Sequence, residues 1–194
     1  DQKHTFTVEH VDKKVDYQLY TARTAPPANG STAVIDSASN TDMKRTRGTW
    51  AGEWRNFDAP VLDDVKASLS YQNADSREFI YEDRLTAADR TRDVTYKEKT
   101  FQANVQARKL VKSGGSMAQQ FTYGMDYVRT DVENLQTGLT PPVGETYPLK
   151  RFPDTTESSW ALYGQDEISF GNWTITPGLR YDHFRIKADQ AGFG

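Results

Sequence analysis

The sequence predicts an all-β fold, an antiparallel up-and-down transmembrane β-barrel to which these 194 residues contribute about seven strands. Segments of about 10 to 15 residues alternate apolar with polar side chains, which is the period-2 pattern of a two-faced strand and exceeds the usual strand length of soluble sheets. Aromatic residues gather near the ends of these segments. Long polar connections alternate with shorter ones, as in barrels with one rim of turns and one rim of loops.

The clearest strand pair runs over residues 158–187 and turns at Gly171 and Asn172. A two-residue connection that contains glycine predicts a tight hairpin. The second strand of this pair places one set of side chains on a single face: Trp173, Ile175, Pro177, Leu179 and Tyr181. This face is long and apolar enough to meet lipid.

Five further segments carry the same alternation and are predicted as strands: residues 3–20, 42–54, 65–77, 94–111 and 118–133. The long connections are predicted at 21–41, 78–93 and 134–157, and the shorter ones at 55–64, 112–117 and 171–172. Gly114 and Gly115 predict a turn within one of the shorter connections. If the short turns are periplasmic, the first, third, fifth and seventh strands run toward the outside.

Composition and charge exclude several classes of protein. The chain has 24 basic and 27 acidic residues, well mixed, for a net charge of −3, so nothing indicates a nucleic-acid-binding surface. It contains no cysteine, which excludes disulfides, cysteine-based zinc sites and thiol nucleophiles. No run approaches the ~20 apolar residues that a membrane helix needs. The first residues, DQKHTFTV, carry no signal peptide, so we expect a processed start or an internal piece.

A soluble β-sandwich is the alternative, because alternation alone also fits a sheet whose apolar face packs on a second sheet. Strand length, the placement of aromatic residues and the alternating connections favour the barrel. Bacterial outer-membrane barrels have an even number of strands, at least eight, so about seven strands cannot close. We therefore expect the chain to be a fragment that neither folds nor inserts alone, since its edges would expose unpaired backbone groups.

No catalytic or metal-binding residue is predicted, and an enzyme is not expected. The three histidines, His4, His10 and His183, are too scattered for a metal signature. Asp166 and Glu167 are adjacent in a predicted strand, so their side chains point to opposite faces and cannot act as a paired acid and base.

Polar residues of the predicted inward face can line a wet lumen or contact a plug, or they can form a charge and hydrogen-bond lattice that stiffens the wall. These residues are Arg45, Arg47, Glu53, Gln102, Gln106, Arg108, Asp126 and Arg180. In the connection after the fifth strand, Tyr147, Arg151 and Phe152 can meet a ligand. The prolines of this connection indicate only a stiff loop.

Four short motifs carry a resemblance to a known family: GETYP at 144–148, RFPDT at 151–155, YGQDEI at 163–168 and TPGLRYD at 176–182. With them the chain resembles the TonB-dependent outer-membrane receptors. YGQDEI and TPGLRYD are typical of the whole superfamily. The two loop motifs are most similar to those of the branch that takes up haem or haemoglobin.

The resemblance implies that residues 1–194 are a middle section of a 22-stranded barrel in the outer membrane of a Gram-negative bacterium, with an N-terminal plug in its lumen. The implied function is uptake of haem or haemoglobin iron, energised by TonB through the plug. Its implied partners are outer-membrane lipid and haem or a haem-carrying protein, with haem as transported ligand and not as cofactor. A ferric-siderophore receptor is one alternative, and a soluble β-rich binding or adhesion module is another.

The residues that would settle haem binding are not in this sequence. The TonB box, the plug and the later loop in which the haem branch carries an axial histidine are all missing from these 194 residues. No ligand-binding residue is therefore carried over from the family.

Overall fold

The computed structural model describes residues 1–57, 59–113 and 117–190. In these ranges the chain forms eight strands and one short 3₁₀ turn, Tyr20–Ala22. The strands are β1 (Gln2–Gln18), β2 (Val34–Trp54), β3 (Asp64–Arg84), β4 (Arg90–Ser113), β5 (Met117–Leu139), β6 (Asp154–Phe170), β7 (Trp173–Ile175) and β8 (Gly178–Asp189).

All eight strands belong to one antiparallel sheet in which neighbours in sequence are neighbours in space. The order runs from β1 to β6, and both β7 and β8 pair with β6. This is the predicted up-and-down arrangement. Within the described ranges no second sheet packs against the first, as a soluble sandwich would require.

The predicted hairpin at residues 158–187 is confirmed, with one difference. Gly171 adopts a positive φ of 54° in the turn, a conformation that glycine reaches without steric cost. The predicted seventh strand is interrupted before Gly178, because Pro177 has no N–H to donate to the ladder. The carbonyl oxygen of Pro177 still accepts a hydrogen bond from the Asp166 N–H at 3.0 Å, and β7 and β8 keep a common register on β6.

The strands are longer than the sequence pattern predicts. β2 and β3 each have 21 residues, β5 has 23 and β4 has 24. A membrane-spanning strand needs about 9 to 11 residues, so these strands continue well beyond a bilayer at one end. We call this the extended end of the sheet; the connections 19–33, 85–89 and 140–153 lie there.

The predicted long connection at 78–93 is wrong. β3 continues to Arg84 and β4 begins at Arg90, so only residues 85–89 connect them. The prediction failed because Phe79, Ile80 and Tyr81 are apolar in succession and the residues after them are polar, so no alternation signal is present. Backbone pairing nevertheless continues unbroken from Phe79↔Asp93 to Glu82↔Arg90. Long connections are present where two others were predicted, but they are shorter, at 19–33 where 21–41 was predicted and at 140–153 where 134–157 was predicted. The shorter connection at 55–63 agrees with the prediction. The turn predicted at Gly114 and Gly115 lies outside the described residues.

One face of the sheet carries a continuous belt of apolar side chains. Because paired residues point to the same face, the register assigns the belt directly. Its members are Phe6, Val8, Trp50, Trp54, Val65, Ala67, Leu69, Tyr71, Phe101, Ala103, Val105, Ala107, Phe121, Tyr123, Met125, Tyr127, Trp160, Leu162, Ile168, Phe170, Trp173, Ile175, Leu179 and Tyr181.

The belt is exposed except at Ala107, and it has a sharp border. Leu179 is 81% exposed, and the only apolar residues of the described chain that are buried are Ala33, Ile80, Ala107 and Ala161. Toward the extended end the same face becomes polar, since Tyr71 is followed by Asn73 and Asp75, which pair with Lys99 and Lys97. A contiguous apolar surface with a charged border indicates contact with lipid.

Aromatic side chains lie at both borders of the belt. At the border with the charged segment, the rings of Phe101 and Tyr127 are 6.2 Å apart. At the opposite border, Phe170 pairs directly with Trp173 across the hairpin turn. Aromatic rings favour the two interfaces of a bilayer, so the aromatic residues that the sequence places near strand ends form an interfacial girdle on this face. No helix of the described ranges is long and apolar enough to cross a membrane.

The belt assignment predicts different outcomes for two substitutions on the same strand. Met125 and Leu135 both lie on the outward face of β5, and they are 41% and 39% exposed. Met125→Arg places a charge at mid-belt and should cost about 2–4 kcal/mol of unfolding free energy, whereas Leu135→Arg, beyond the border, should cost about 0–1 kcal/mol. Urea unfolding of the full-length protein in lipid vesicles measures both. Equal costs would contradict the assignment.

Candidate functional site

The face opposite the belt is polar and grooved. All eight residues predicted to point inward lie on this face by the register. Arg47, for example, donates from Nε to the hydroxyl oxygen of Ser70, an inward position of β3, at 2.9 Å. Two grooves, of about 510 and 330 Å³, follow it. Glu53, Gln106 and Arg108 line the larger groove, near the turns, and Arg180 lines the smaller one at mid-height.

The centre of the inward face is a lattice of paired charges. One oxygen of Asp126 accepts a hydrogen bond from Arg180 Nη1 at 2.8 Å, and the other accepts one from Asn104 Nδ2 at 2.5 Å. Arg180 Nε also donates to Asp182 at 3.0 Å. Its guanidinium lies 5.7 Å from the ring centre of Tyr163. These groups satisfy one another's hydrogen-bonding capacity. Asp126 and Arg180 therefore support the interpretation that inward polar residues form a hydrogen-bond lattice that stiffens the wall.

The larger groove near the turns has the same character. Glu53 pairs with Arg55 at 2.7 Å and with Lys66 at 3.9 Å. Arg108 pairs with Asp64 through both Nε and Nη2. Charges of both signs alternate along the groove, as expected for a wall that faces water.

The connection 140–153 folds back over the inward face at the extended end. Leu149 and Gln136 exchange both backbone hydrogen bonds, at 2.7 and 2.8 Å. Asn134 donates from Nδ2 to the carbonyl of Phe152 at 2.7 Å and accepts from the Arg151 N–H at 2.8 Å. Asn134 and Gln136 are only 7% and 2% exposed, so the loop buries two polar side chains of β5 and gives each its partners.

The three loop residues that the sequence singled out converge on this contact. Arg151 donates to Gln136 Oε1 at 2.9 Å, and Gln136 Nε2 donates to Tyr147 Oη at 3.0 Å. Arg151 Nη2 also donates to both carboxylate oxygens of Glu145, at 2.9 and 3.0 Å. The ring of Phe152 meets that of Tyr96 edge-on, with centroids 6.2 Å apart. The structure thus brings these residues together on the inward face, while their role toward a ligand stays a prediction.

Sequence reasoning missed the two residues that hold this loop. Asn134 and Gln136 fall in the predicted connection 134–157, but β5 continues to Leu139. A weak signal was present, because Leu135, Thr137 and Leu139 alternate with these polar residues.

The three histidines lie on the outward face and not together. His4 lies between Trp50 and Trp54, at ring distances of 6.0 and 5.4 Å. His10 Nδ1 is 2.9 Å from the hydroxyl of Thr46, and His183 lies 5.6 Å from the Trp160 ring. No three acidic, histidine or cysteine side chains come together as a metal-binding group in the described part of the chain.

The adjacent acidic residues are separated by the sheet. Asp166 pairs with outward-facing Phe121, and Glu167 pairs with inward-facing Gln120. Their carboxylates lie on opposite faces, as the sequence predicts.

A hydrogen bond ties the connection 85–89 to the outward face, beyond the belt. Tyr81 Oη donates to one oxygen of Asp89 at 2.7 Å, and the other oxygen accepts the Arg84 N–H at 3.1 Å. The bond from Tyr81 lowers the pKa of Asp89, and the Asp89 carboxylate raises the pKa of Tyr81 to about 12. The bond is therefore intact at neutral pH, and it is lost as pH rises through the pKa of Tyr81 or falls through that of Asp89.

An up-and-down sheet with a lipid-facing belt on one side and a polar, grooved surface on the other is a section of the wall of a membrane-spanning β-barrel. Residues 3–194 match the family model described as TonB dependent receptor-like, beta-barrel, and the chain belongs to this family. Its members are TonB-dependent transporters of the Gram-negative outer membrane and not enzymes. No curated protein matches the sequence significantly.

Family membership confirms the predicted receptor class, barrel and location. It does not extend to the haem branch, which stays a prediction. The soluble module considered from the sequence does not fit an outer-membrane family.

Close packing on the inward face predicts the outcome of a glycine substitution. A Cβ at Gly124 would collide with the carbonyl oxygen of Val105 and would lie 2.5 Å from Tyr163 Oη, whereas a Cβ at Gly48 would meet nothing within 4 Å. Gly124→Ala should lower the unfolding free energy of the full-length receptor by about 1–3 kcal/mol. Gly48→Ala, on a strand as well, is the matched control and should stay within about 0.5 kcal/mol of wild type. Equal stability of the two variants in urea would refute this packing.

The loop contact predicts a change in protease sensitivity. Asn134→Ala leaves the Phe152 carbonyl and the Arg151 N–H without their partner, which costs about 1–3 kcal/mol, so the loop should open more often. Trypsin applied to whole cells should then cut after Lys150 or Arg151 about tenfold faster. Thr137→Ala, on the outward face of the same strand, is the control. If both variants are cut at the wild-type rate, Asn134 does not hold the loop.

Proposed function

We propose that this chain belongs to a TonB-dependent receptor that imports haem, free or from haemoglobin, across the outer membrane. The observation that carries the proposal is the placement of the two loop motifs that resemble the haem branch. Tyr147 from GETYP and Arg151 from RFPDT both bond to Gln136, on the inward face at the extended end. The motifs therefore belong to one folded unit at the opening of the lumen.

The composition of this opening suits such a ligand. A haem presents a flat apolar ring and two carboxylates. Tyr96 and Phe152 supply aromatic surface on the inward side, and Arg151, which pairs with Glu145, places a guanidinium beside them. Aromatic and arginine side chains carry much of the binding energy where proteins contact their partners.

Import requires no covalent chemistry from these residues. The paired charges of Asp126 and Arg180 form a stiff, wet wall, along which a ligand can pass once the plug moves. In this proposal the belt contacts outer-membrane lipid, and TonB acts through the plug.

A ferric-siderophore receptor is the alternative within the family. It would share the barrel wall, the lipid-facing belt and the polar lumen. The loop motifs favour haem, and growth tests separate the two ligands.

Growth under iron limitation tests the proposal. A strain that lacks the full-length gene should fail to grow with haem or haemoglobin as the sole iron source and should grow normally on ferric siderophores. The wild-type gene should restore growth, but not in a strain without TonB. Loss of growth on a ferric siderophore alone, with haem use intact, would refute the proposal in favour of the alternative.

A further inference from the structure

A small cavity of about 120 Å³ lies at the extended end, between the inward face and the folded connection 140–153. Strands β3 and β4 supply part of its wall and the loop supplies the rest. The charged and hydroxyl-bearing groups that line it are Glu82, Arg90, Arg92, Glu145, Tyr147 and Arg151.

The charges in this cavity do not balance. Arg90 Nη1 lies 3.5 Å from a carboxylate oxygen of Glu82, and Arg151 holds Glu145. Both glutamates are thus engaged by an arginine. Arg92 is the third cation, and among the described residues its buried Nε has no hydrogen-bond partner. Three arginines against two glutamates leave one positive charge unmatched.

An oxyanion would satisfy the unmatched group. Burial of a guanidinium nitrogen without a partner is unfavourable, and a carboxylate is an acceptor whose geometry matches a guanidinium. Tyr147 Oη already accepts a hydrogen bond from Gln136, so its own hydrogen is available for a second acceptor. Arg92 and Tyr147 line the same cavity, and both can donate to one carboxylate.

The size of the cavity limits what enters it. A volume of about 120 Å³ corresponds to about four water molecules, whereas pockets for whole ligands span about 300–1,000 Å³. One carboxylate fits and a complete ligand does not. We propose that this cavity receives a carboxylate group of the imported ligand and that Arg92 is its anchor.

This inference rests on the proposed function for the source of the carboxylate, which is a side chain of the haem. It also gives the loop a role. Glu145, Tyr147 and Arg151 reach the cavity only while the loop is folded onto Gln136, so the site is complete only in that state.

Haem and haem dimethyl ester, in which both carboxylates are esterified, test the inference on purified full-length receptor. Absorbance titration of wild type should show haem binding at least about tenfold more tightly than the diester, as expected for a hydrogen-bonded charge. Arg92→Gln should weaken haem binding about tenfold and leave diester binding unchanged. The control Arg77→Gln removes an arginine from the outward face of β3 and should behave as wild type. If the wild-type receptor binds haem and the diester with equal affinity, the inference is wrong, whatever the variants show.

A second measurement separates this inference from the proposed function. Crystals of the full-length receptor soaked in sodium selenate should show an anomalous peak beside Arg92 in wild type and none in Arg92→Gln. If wild type does not bind haem but shows the peak, the haem proposal fails and the anion site stands. If wild type binds haem without a peak at Arg92, the site fails and the haem proposal stands.

Discussion

The structure depends on one constraint, the pairing of every backbone N–H and C=O group where water is absent. A lipid-facing chain that is not helical can meet this constraint only in a sheet whose ladder is continuous. Among the described residues of β1 to β6, the antiparallel register has a single irregularity, between Val34 and Asp36, beyond the belt. Because the ladder fixes which residues pair, it also fixes the two faces, and one contacts lipid while the other contacts the lumen.

The same backbone hydrogen-bond ladder continues past the membrane and thereby positions the residues of the candidate site. Beyond the belt neither face is continuously apolar, and backbone hydrogen bonds between strands continue the sheet into water. Asn134 and Gln136 therefore lie at the opening of the lumen. There they form hydrogen bonds with the loop that carries Tyr147 and Arg151. A shorter β5, ending where the apolar alternation ends, would leave this loop without its attachment. Strand extension therefore positions the loop at which we propose that the ligand binds.

The sequence predicted the features that follow from period-2 alternation. Belt positions such as Phe101 and Met125, and inward positions such as Asp126, were assigned to the correct faces. Side chains alternate between the two faces of a strand, so the apolar residues that mark one face also identify the residues of the other. Two kinds of feature could not be predicted in this way. The strand ends near Arg84 and Arg90 have no period-2 alternation, because apolar Phe79–Tyr81 are followed by a polar run, and backbone pairing alone keeps them in the sheet. The contacts of Arg151 and the unmatched charge of Arg92 arise from loop folding, which alternation does not encode.

The assignment of the two faces is the central claim, and site-directed spin labelling tests it directly. The 194 residues contain no cysteine, so single cysteines can be placed at Val105 and Gln106, neighbours that point to opposite faces of β4. In full-length receptor in lipid vesicles, a label at 105 should be relaxed by oxygen, which partitions into lipid, and a label at 106 by a water-soluble nickel chelate. Relaxation of both labels by the same reagent, or the reverse preference, would contradict the account.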